Sequence, residues 1–341
     1  MEIQNNQYRQ LIDQIGNLLA VGRAKVAQEV NTILVQTYWE IGKYIVEFEQ
    51  HGNEKAEYGS QLFDKLSKDL TNAYGKGFSR SNLFQMRLLY VKYPKIQTLS
   101  GFLTWSHYLE ILKSDSDLEI GFYSKQTEKE RWSVRELKRQ MKSMLFHRLA
   151  LSTDKEGVLK LAKEGHEVQQ PEDLLKDHFV LEFLNIPEQY QYLESELEEK
   201  LINNLQQFLL ELGKGFAFIG RQYRMSIGGK HFRVDLLFYH RILKCFVLID
   251  LKKGEIDHQD IGQMNLYLNY FKKEESTEGD NEPVGIILGT YKNHILVEYA
   301  TASITNQILL AKYQLYLPDK ETLAAKLNLL LEQNLGDEGE E

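Results

Sequence analysis

The stretch VLIDLKKG, residues 247–254, begins as an apolar run and ends on Asp250 and Lys252. Alternation along a strand sets those two side chains on one face and Leu251 on the other. A carboxylate and an ammonium at the edge of a core cost desolvation energy unless they pair or share the site with another group. Taken alone, the octet is satisfied by a salt bridge. Its neighbour HFRVDLLFYH, residues 231–240, follows Gly228–Gly229, a pair suited to a two-residue hairpin turn, and only RILK separates it from the next apolar run. Antiparallel pairing across that loop sets Val234 opposite Leu251, Leu236 opposite Ile249 and Phe238 opposite Val247, an apolar face throughout. The other face grades from Tyr239–Phe246 and Leu237–Leu248 into Asp235–Asp250 and Arg233–Lys252. Two carboxylates so placed, with Cβ atoms about 5 Å apart, repel, and one pKa must rise unless something neutralises them. A divalent cation between them turns repulsion into coordination. The alternative is a one-residue bulge that separates the aspartates and leaves each paired with a neighbouring base, Arg233 or Lys252.

The elements that must carry these residues follow from periodicity. After a helix in SELEEKLINNLQQFLLELG come short apolar runs, FAFIGRQYRMSI, HFRVDLLFYH, KCFVLIDLKK and PVGIILGT, the pattern of a sheet flanked by helices. The first half reads as helices alone. Val26, Val30, Ile33 and Leu34, then Ile41, Ile45 and Phe48, keep helical spacing, as do Leu62, Phe63, Leu66 and Leu70. Ser79 caps a helix that Pro94 ends, Thr104 starts another, and Ser133 with Glu136 opens a helix running to Ala150. The expected fold class is α+β: a helical domain over 1–150, a connector over 151–190, an α/β domain with a mixed central sheet over 191–335, and an acidic tail over 336–341.

The chain has 341 residues and a net charge of −8, unevenly spread. Residues 1–75 hold 7 Lys/Arg and 10 Asp/Glu, residues 76–148 hold 14 and 7, and residues 149–341 hold 20 and 32. A basic stretch between acidic flanks is the electrostatic footprint of a polyanion partner or simply a solvated basic surface. Short helices around a glycine-bearing turn fit a helix-turn-helix reader or an ordinary bundle or dimerisation domain. In the first case Arg80, Ser81, Asn82 and Gln85 lie early on the helix facing the groove, and Arg80, Arg87, Arg135 and Arg139 are the candidate phosphate contacts. The lone Cys245 excludes an internal disulfide or a cysteine-based zinc site and fits a reducing cytoplasm. No run reaches membrane-spanning length. No Walker A, His-Glu-x-x-His or Gly-x-Ser-x-Gly pattern occurs, so ATP-driven and zinc-protease chemistry lose their usual support.

An aspartate on one strand followed by Asp-x-Lys on the next resembles the PD-(D/E)xK nuclease superfamily. FLLELGKGFAFIGRQYR, DLLFYHR, DLKKG, GQMNLYL and GIILGT together resemble its YhcG-type family over roughly residues 175–320. YGKGFSRSNLFQMR, LTWSHYLEIL and WSVRELKRQM are similar to the helical, helix-turn-helix-like domain that accompanies it. Where the family usually has Glu-Leu-Lys, this chain has Asp250-Leu251-Lys252, one methylene shorter at the acid. The resemblance implies a restriction-endonuclease-like fold and a metal-dependent endonuclease in DNA repair, recombination or defence. Its Mg²⁺ or Mn²⁺ would be held by Asp235, Asp250 and the Leu251 carbonyl. Lys252 would orient or deprotonate the attacking water or stabilise phosphate charge. Glu198 matches an acidic position that often completes such sites, or belongs to a solvated acidic run with Glu194, Glu196 and Glu199. Gln263 shares a helix face with Tyr267 and Tyr270 that can reach the site. Nucleic acid, most readily DNA, is the expected partner, with a second copy of the chain or proteins of a defence or repair system beside it. The alternative function is a catalytically silent nucleic-acid-binding or scaffold protein with the same fold.

Overall fold

Three hydroxyl residues set the rhythm of the helical half. Ser79 Oγ accepts the Asn82 N–H, the His107 ring accepts the Thr104 N–H, and Ser133 and Glu136 cap each other reciprocally. The computed structural model describes residues 2–51, 56–187, 192–292 and 305–333, so the acidic tail expected over 336–341 lies outside the described residues. The helices here are α1 (Glu2–His51), α2 (Ala56–Tyr74), α3 (Arg80–Lys92), α4 (Trp105–Ile111), α5 (Asp117–Glu130), α6 (Val134–Lys142), α7 (Leu145–Ala150) and α8 (Lys155–Glu164). The distal half of α1 packs on α3. Gly42 permits the approach, since a Cβ there would collide with the Met86 carbonyl, and the Trp39 indole donates to the Tyr93 carbonyl at 2.6 Å. Leu83, Met86, Ile45 and Phe63 form the core at this crossing.

The described chain divides into two compact units, residues 1–139 with 162–165, and residues 140–161 with 166–341. The single helix expected over 133–150 is broken. Met144 has a left-handed backbone (φ 54°), and the Ser143 carbonyl accepts Arg148 Nε at 2.7 Å. Arg148 is fully buried in the second unit, where its guanidinium pairs with the equally buried Glu211 and donates to the His178 carbonyl at 2.9 Å. The segment expected as a connector supplies β1 (His178–Val180) to the sheet. The helix α5, the strand β1 and the later strand β8 were not among the elements expected from the sequence.

The second unit continues with α9 (Glu194–Asn203), α10 (Leu205–Leu212), β2 (Phe216–Ile227), β3 (Lys230–His240), β4 (Cys245–Leu251), β5 (Glu255–Ile256), α11 (His258–Tyr270), β6 (Val284–Gly289), β7 (Tyr291–Lys292), β8 (Gln307–Gln314) and α12 (Lys320–Gln333). Six strands form one sheet in the order β1-β8-β6-β4-β3-β2, and β5 pairs with β7. Pairing is antiparallel from β2 to β4 and parallel from β4 through β6 and β8 to β1, hence mixed. Gly228 and Gly229 both have positive φ (55° and 77°), as a two-residue hairpin turn requires. One sheet face packs on α9 and α10 through Leu236, Phe238, Val247, Ile249 and Leu251. The other packs on α11 through Leu237 and Leu248. Sequence and structure agree on an α+β chain whose second unit is a sheet between helices.

Val234 departs from its expected face. It packs with Leu237 and Leu248, on the α11 side, rather than with Leu236 and Phe238. Strict alternation has failed between Val234 and Leu236, where β3 carries Asp235.

Candidate active site

The expected register of β3 on β4 holds from His240–Cys245 to Leu236–Ile249 and stops there. The further pairs Asp235–Asp250, Val234–Leu251 and Arg233–Lys252 do not form. Asp235 replaces the ladder with its side chain, accepting the Leu251 N–H at 2.9 Å. The N–H and C=O of one residue in a strand share a side, so the Leu251 carbonyl also lies on that side. Backbone pairing of the two strands therefore ends before their charged end, where the Asp235 side chain takes its place.

The two aspartates still meet, within hydrogen-bonding reach of each other. Asp250 is 3 % exposed. Burial and then the neighbouring Asp235 charge push its carboxyl up to about 7, against the pull of Lys252. Burial also raises Asp235, with the Leu251 N–H opposing and the Glu198 charge adding to the rise. Lys252 Nζ lies 2.8 Å from Asp250 and 3.5 Å from Asp260. Burial works against its charge, but Asp250, Asp260 and Glu194 outweigh it and raise its pKa. Lys252 is thus a cation throughout the physiological range. Part of the bulge alternative is present, since the ladder ends before Asp235 and Asp250 pairs with Lys252 at 2.8 Å; Asp235 instead takes Gln222 and a main-chain N–H as partners, and Arg233 lies on the exposed end of β3 opposite Arg224.

Glu198 is buried on α9, whereas Glu194 and Glu199 are exposed. Gln222 joins it to the cluster: its Nε2 donates to Glu198 at 2.7 Å and to Asp235 at 3.0 Å. Gln222 has a left-handed backbone (φ 49°) just after a β2 register shift between Phe218 and Gly220. That local strain turns the amide between the two acids. Gln263, exposed on α11, reaches the cluster only through the Tyr267 hydroxyl, to which it donates. Tyr267 is buried and feels the charges of Asp250, Lys252 and Asp235, which place it beside them. Gln222, Tyr267 and Asp260 complete the surroundings of the three charged residues. Of these, Tyr267 is on the helix face the sequence already assigns to the site, Asp260 has a signal in standing three residues after Asp257 in a helix-capping position, and Gln222 has none.

The donor set suits a small hard cation: two carboxyl groups with raised pKa values and a main-chain carbonyl on the same side. Among the described residues no group of three or more His, Cys, Asp or Glu side chains is arranged to hold a metal. A two-carboxylate site therefore leaves the remaining positions to main-chain oxygen, water and substrate.

The four arginines expected to meet phosphate are carried by α3 and α6 in the first unit. Arg80 pairs with Asp64 at 3.5 Å and Arg87 with Glu49 at 2.7 Å, while Arg135 is exposed and Arg139 half-buried. Asn82 is committed within the fold, donating to the Gly77 carbonyl at 2.5 Å and accepting from the Trp105 indole at 3.0 Å. It is not available to read a base.

Residues 172–329 match the YhcG PDDEXK nuclease domain, and residues 14–148 match the DUF1016 N-terminal domain. A protein of Escherichia coli (strain K12) named "Putative nuclease YhcG" is 40 % identical over 94 % of this chain and 93 % of its own length. The chain belongs to the YhcG nuclease family. It is a nucleic-acid hydrolase of the PDDEXK type by that membership. Among solved structures, a repair endonuclease from Pyrococcus abyssi matches 39 % of this chain and 50 % of its own at 20 % identity, with a TM-score of 0.27. A complex of EndoMS with double-stranded DNA matches 39 % and 51 % at 16 % identity, also with a TM-score of 0.27. No described helix is long and apolar enough to cross a membrane.

Proposed function

We propose that this chain is a divalent-metal-dependent endonuclease acting on DNA, with Asp235, Asp250 and Lys252 as its reacting centre. The observation that carries the reading is the contact of the buried Asp250 carboxyl with the half-buried Asp235 carboxyl, whose charges oppose each other, beside a lysine held as a cation. A fold gains nothing from that arrangement without a cation to share. Asp235, Asp250 and the Leu251 carbonyl would hold Mg²⁺ or Mn²⁺. When bound, such an ion supplies charge to the phosphate and acidifies a water.

The protein's own groups do the rest. Lys252, protonated and anchored by Asp250 and Asp260, stabilises negative charge on the phosphate and orients the attacking water by donating to it. Its raised pKa makes it a donor rather than a base. Glu198 acts through Gln222 to fix the Asp235 carboxylate. Gln263 orients the Tyr267 hydroxyl at the edge of the cluster. The basic helical unit supplies affinity, with Arg80, Arg87, Arg135 and Arg139 against phosphates. DNA repair, recombination or defence in the cytoplasm is the setting that fits a chain whose one cysteine is free and buried.

Purified full chain is to be incubated with plasmid, linear and branched DNA, and RNA, with and without Mg²⁺ or Mn²⁺. The expected result is internal cleavage of DNA that needs the metal and disappears in Asp250→Asn. Cleavage that persists in Asp250→Asn, or none of any substrate with either metal, overturns the reading.

A further inference from the structure

Residues 212–234 carry Lys214, Arg221, Arg224, Lys230 and Arg233 and no aspartate or glutamate, within a stretch, 149–341, whose 20 Lys/Arg face 32 Asp/Glu. The fold places three of them, Arg224, Lys230 and Arg233, on one arm. β2 and β3 stay paired as far as Ile227–Lys230, whereas β3 stops pairing with β4 at Leu236. Beyond Asp235 the hairpin is therefore a two-stranded ribbon, with β2 at the sheet edge. One face of the ribbon is anchored. Tyr223, Met225, Phe232 and Val234 pack with α11, with Tyr223 on Phe271 and Phe232 on Tyr267 at ring-centroid distances of 5.5 and 6.2 Å. Alternation leaves Arg224, Ser226, His231 and Arg233 on the other face, and all four are exposed. The Gln222 amide points to that side too, toward Glu198 on α9.

Arg224 and Arg233 are cross-strand partners. Like charges so placed destabilise a hairpin, and among the described residues no acid pairs with either, nor with Arg221 or Lys230. Glu198, on the same side, takes Gln222 instead. Charges of either sign protect a sheet edge, so protection does not explain a set that is wholly positive in an otherwise acidic stretch. Position does. Arg224 stands two residues from Gln222, and Arg233 two from Asp235, about 7 Å along each strand. That span matches two steps of about 3.4 Å between phosphates of one duplex strand. We propose that this arm holds the DNA against the reacting centre, with Arg224 and Arg233 gripping backbone phosphates beside the one placed at Asp235 and Asp250; the inference rests on the nuclease reading. Planar guanidinium forks suit phosphate oxygens. The anchored face, which reaches Tyr267, keeps the grip in register with the site.

Binding of the full chain to fluorescent DNA duplexes of two unrelated sequences is to be followed without metal across a NaCl series. Arg224→Gln with Arg233→Gln should weaken binding of both duplexes at least ~10-fold. Each phosphate contact contributes about 0.9 to the slope of log affinity on log salt, so that slope should flatten by about 1.8. The melting temperature of the variant should hold or rise, because a like-charge pair is relieved. In cleavage, KM should rise with kcat little changed. Wild-type affinity and slope in the glutamine variant, no DNA binding by wild type, or a loss confined to one sequence overturns the phosphate grip. Arm-dependent binding by a chain that cuts nothing would overturn the nuclease reading and leave the grip standing. Metal-dependent cleavage with arm-independent binding would do the reverse.

Discussion

Two clusters of buried charge sit in the sheet-bearing unit, and they are built on opposite plans. Around Arg148, two cations, Arg148 and Lys176, enclose the single carboxylate of Glu211. The remaining donors and acceptors find main-chain partners, including the Val180 N–H on Glu211 at 3.0 Å and the Ser143 and His178 carbonyls on Arg148. Around Asp250 the balance is reversed: Asp235, Asp250 and Asp260 crowd one lysine, Glu198 adds its charge beside Asp235, and both Asp235 and Asp250 have raised pKa values. The first cluster replaces the water it lost with protein. The second is left short of positive charge, at the point where backbone pairing of two strands ends. Satisfaction by hydrogen bonds marks a charge kept for the fold; an unneutralised excess marks one kept for a ligand.

Breaking the first cluster should have the largest effect. Arg148→Met leaves Glu211 buried without its main partner and should cost about 3–5 kcal/mol, much of the stability of an ordinary domain. Urea unfolding reads the loss directly. Asp250→Asn removes a repulsive charge, so the same measurement without metal should show no loss or a small gain. Cleavage by that variant, and by Lys252→Met, should fall at least ~10²-fold.

Acidity sharpens the contrast. Asp250 holds its proton up to about pH 7 in the folded chain and only to about 3.9 when unfolded. The folded state thus binds the extra proton between those values, and the stability it confers is lost as pH rises through about 7. Metal-free wild type should therefore lose stability relative to Asp250→Asn between pH 5 and 8, as paired urea titrations would show. A constant difference would mean that Asp250 is ionised throughout. The smallest effect is expected at Gln222. Gln222→Ala removes the link from Glu198 to Asp235 and should lower cleavage by about 10-fold, with little change in overall stability.

The meeting of Asp235, Asp250 and Lys252 was legible because strand period and a short turn leave little freedom: the four-residue loop over 241–244 fixes which residues of β3 and β4 lie level. That logic extends only as far as the ladder does. It set Val234 on the wrong face and paired Arg233 with Lys252, since nothing in the sequence shows that Asp235 will take a main-chain N–H and open the pair. Gln222 was invisible for a related reason. Its left-handed backbone follows a register shift between Phe218 and Gly220, and the residue types around it demand neither. Charge counting misread Arg148, which contributes to the excess over residues 76–148 yet is buried against Glu211 from 63 positions away. Glu198 was ambiguous in an acidic run and became distinct only through its burial.

The comparison stands or falls on whether the second cluster takes a cation. The direct measurement is the melting temperature of wild type and Asp250→Asn across a Mn²⁺ and Mg²⁺ titration. Preferential binding to the folded state should raise the wild-type value steadily with metal concentration, while Asp250→Asn, at least as stable without metal, stays where it began. Equal shifts in both proteins, or none in wild type, would contradict the assignment of Asp235 and Asp250 as metal ligands.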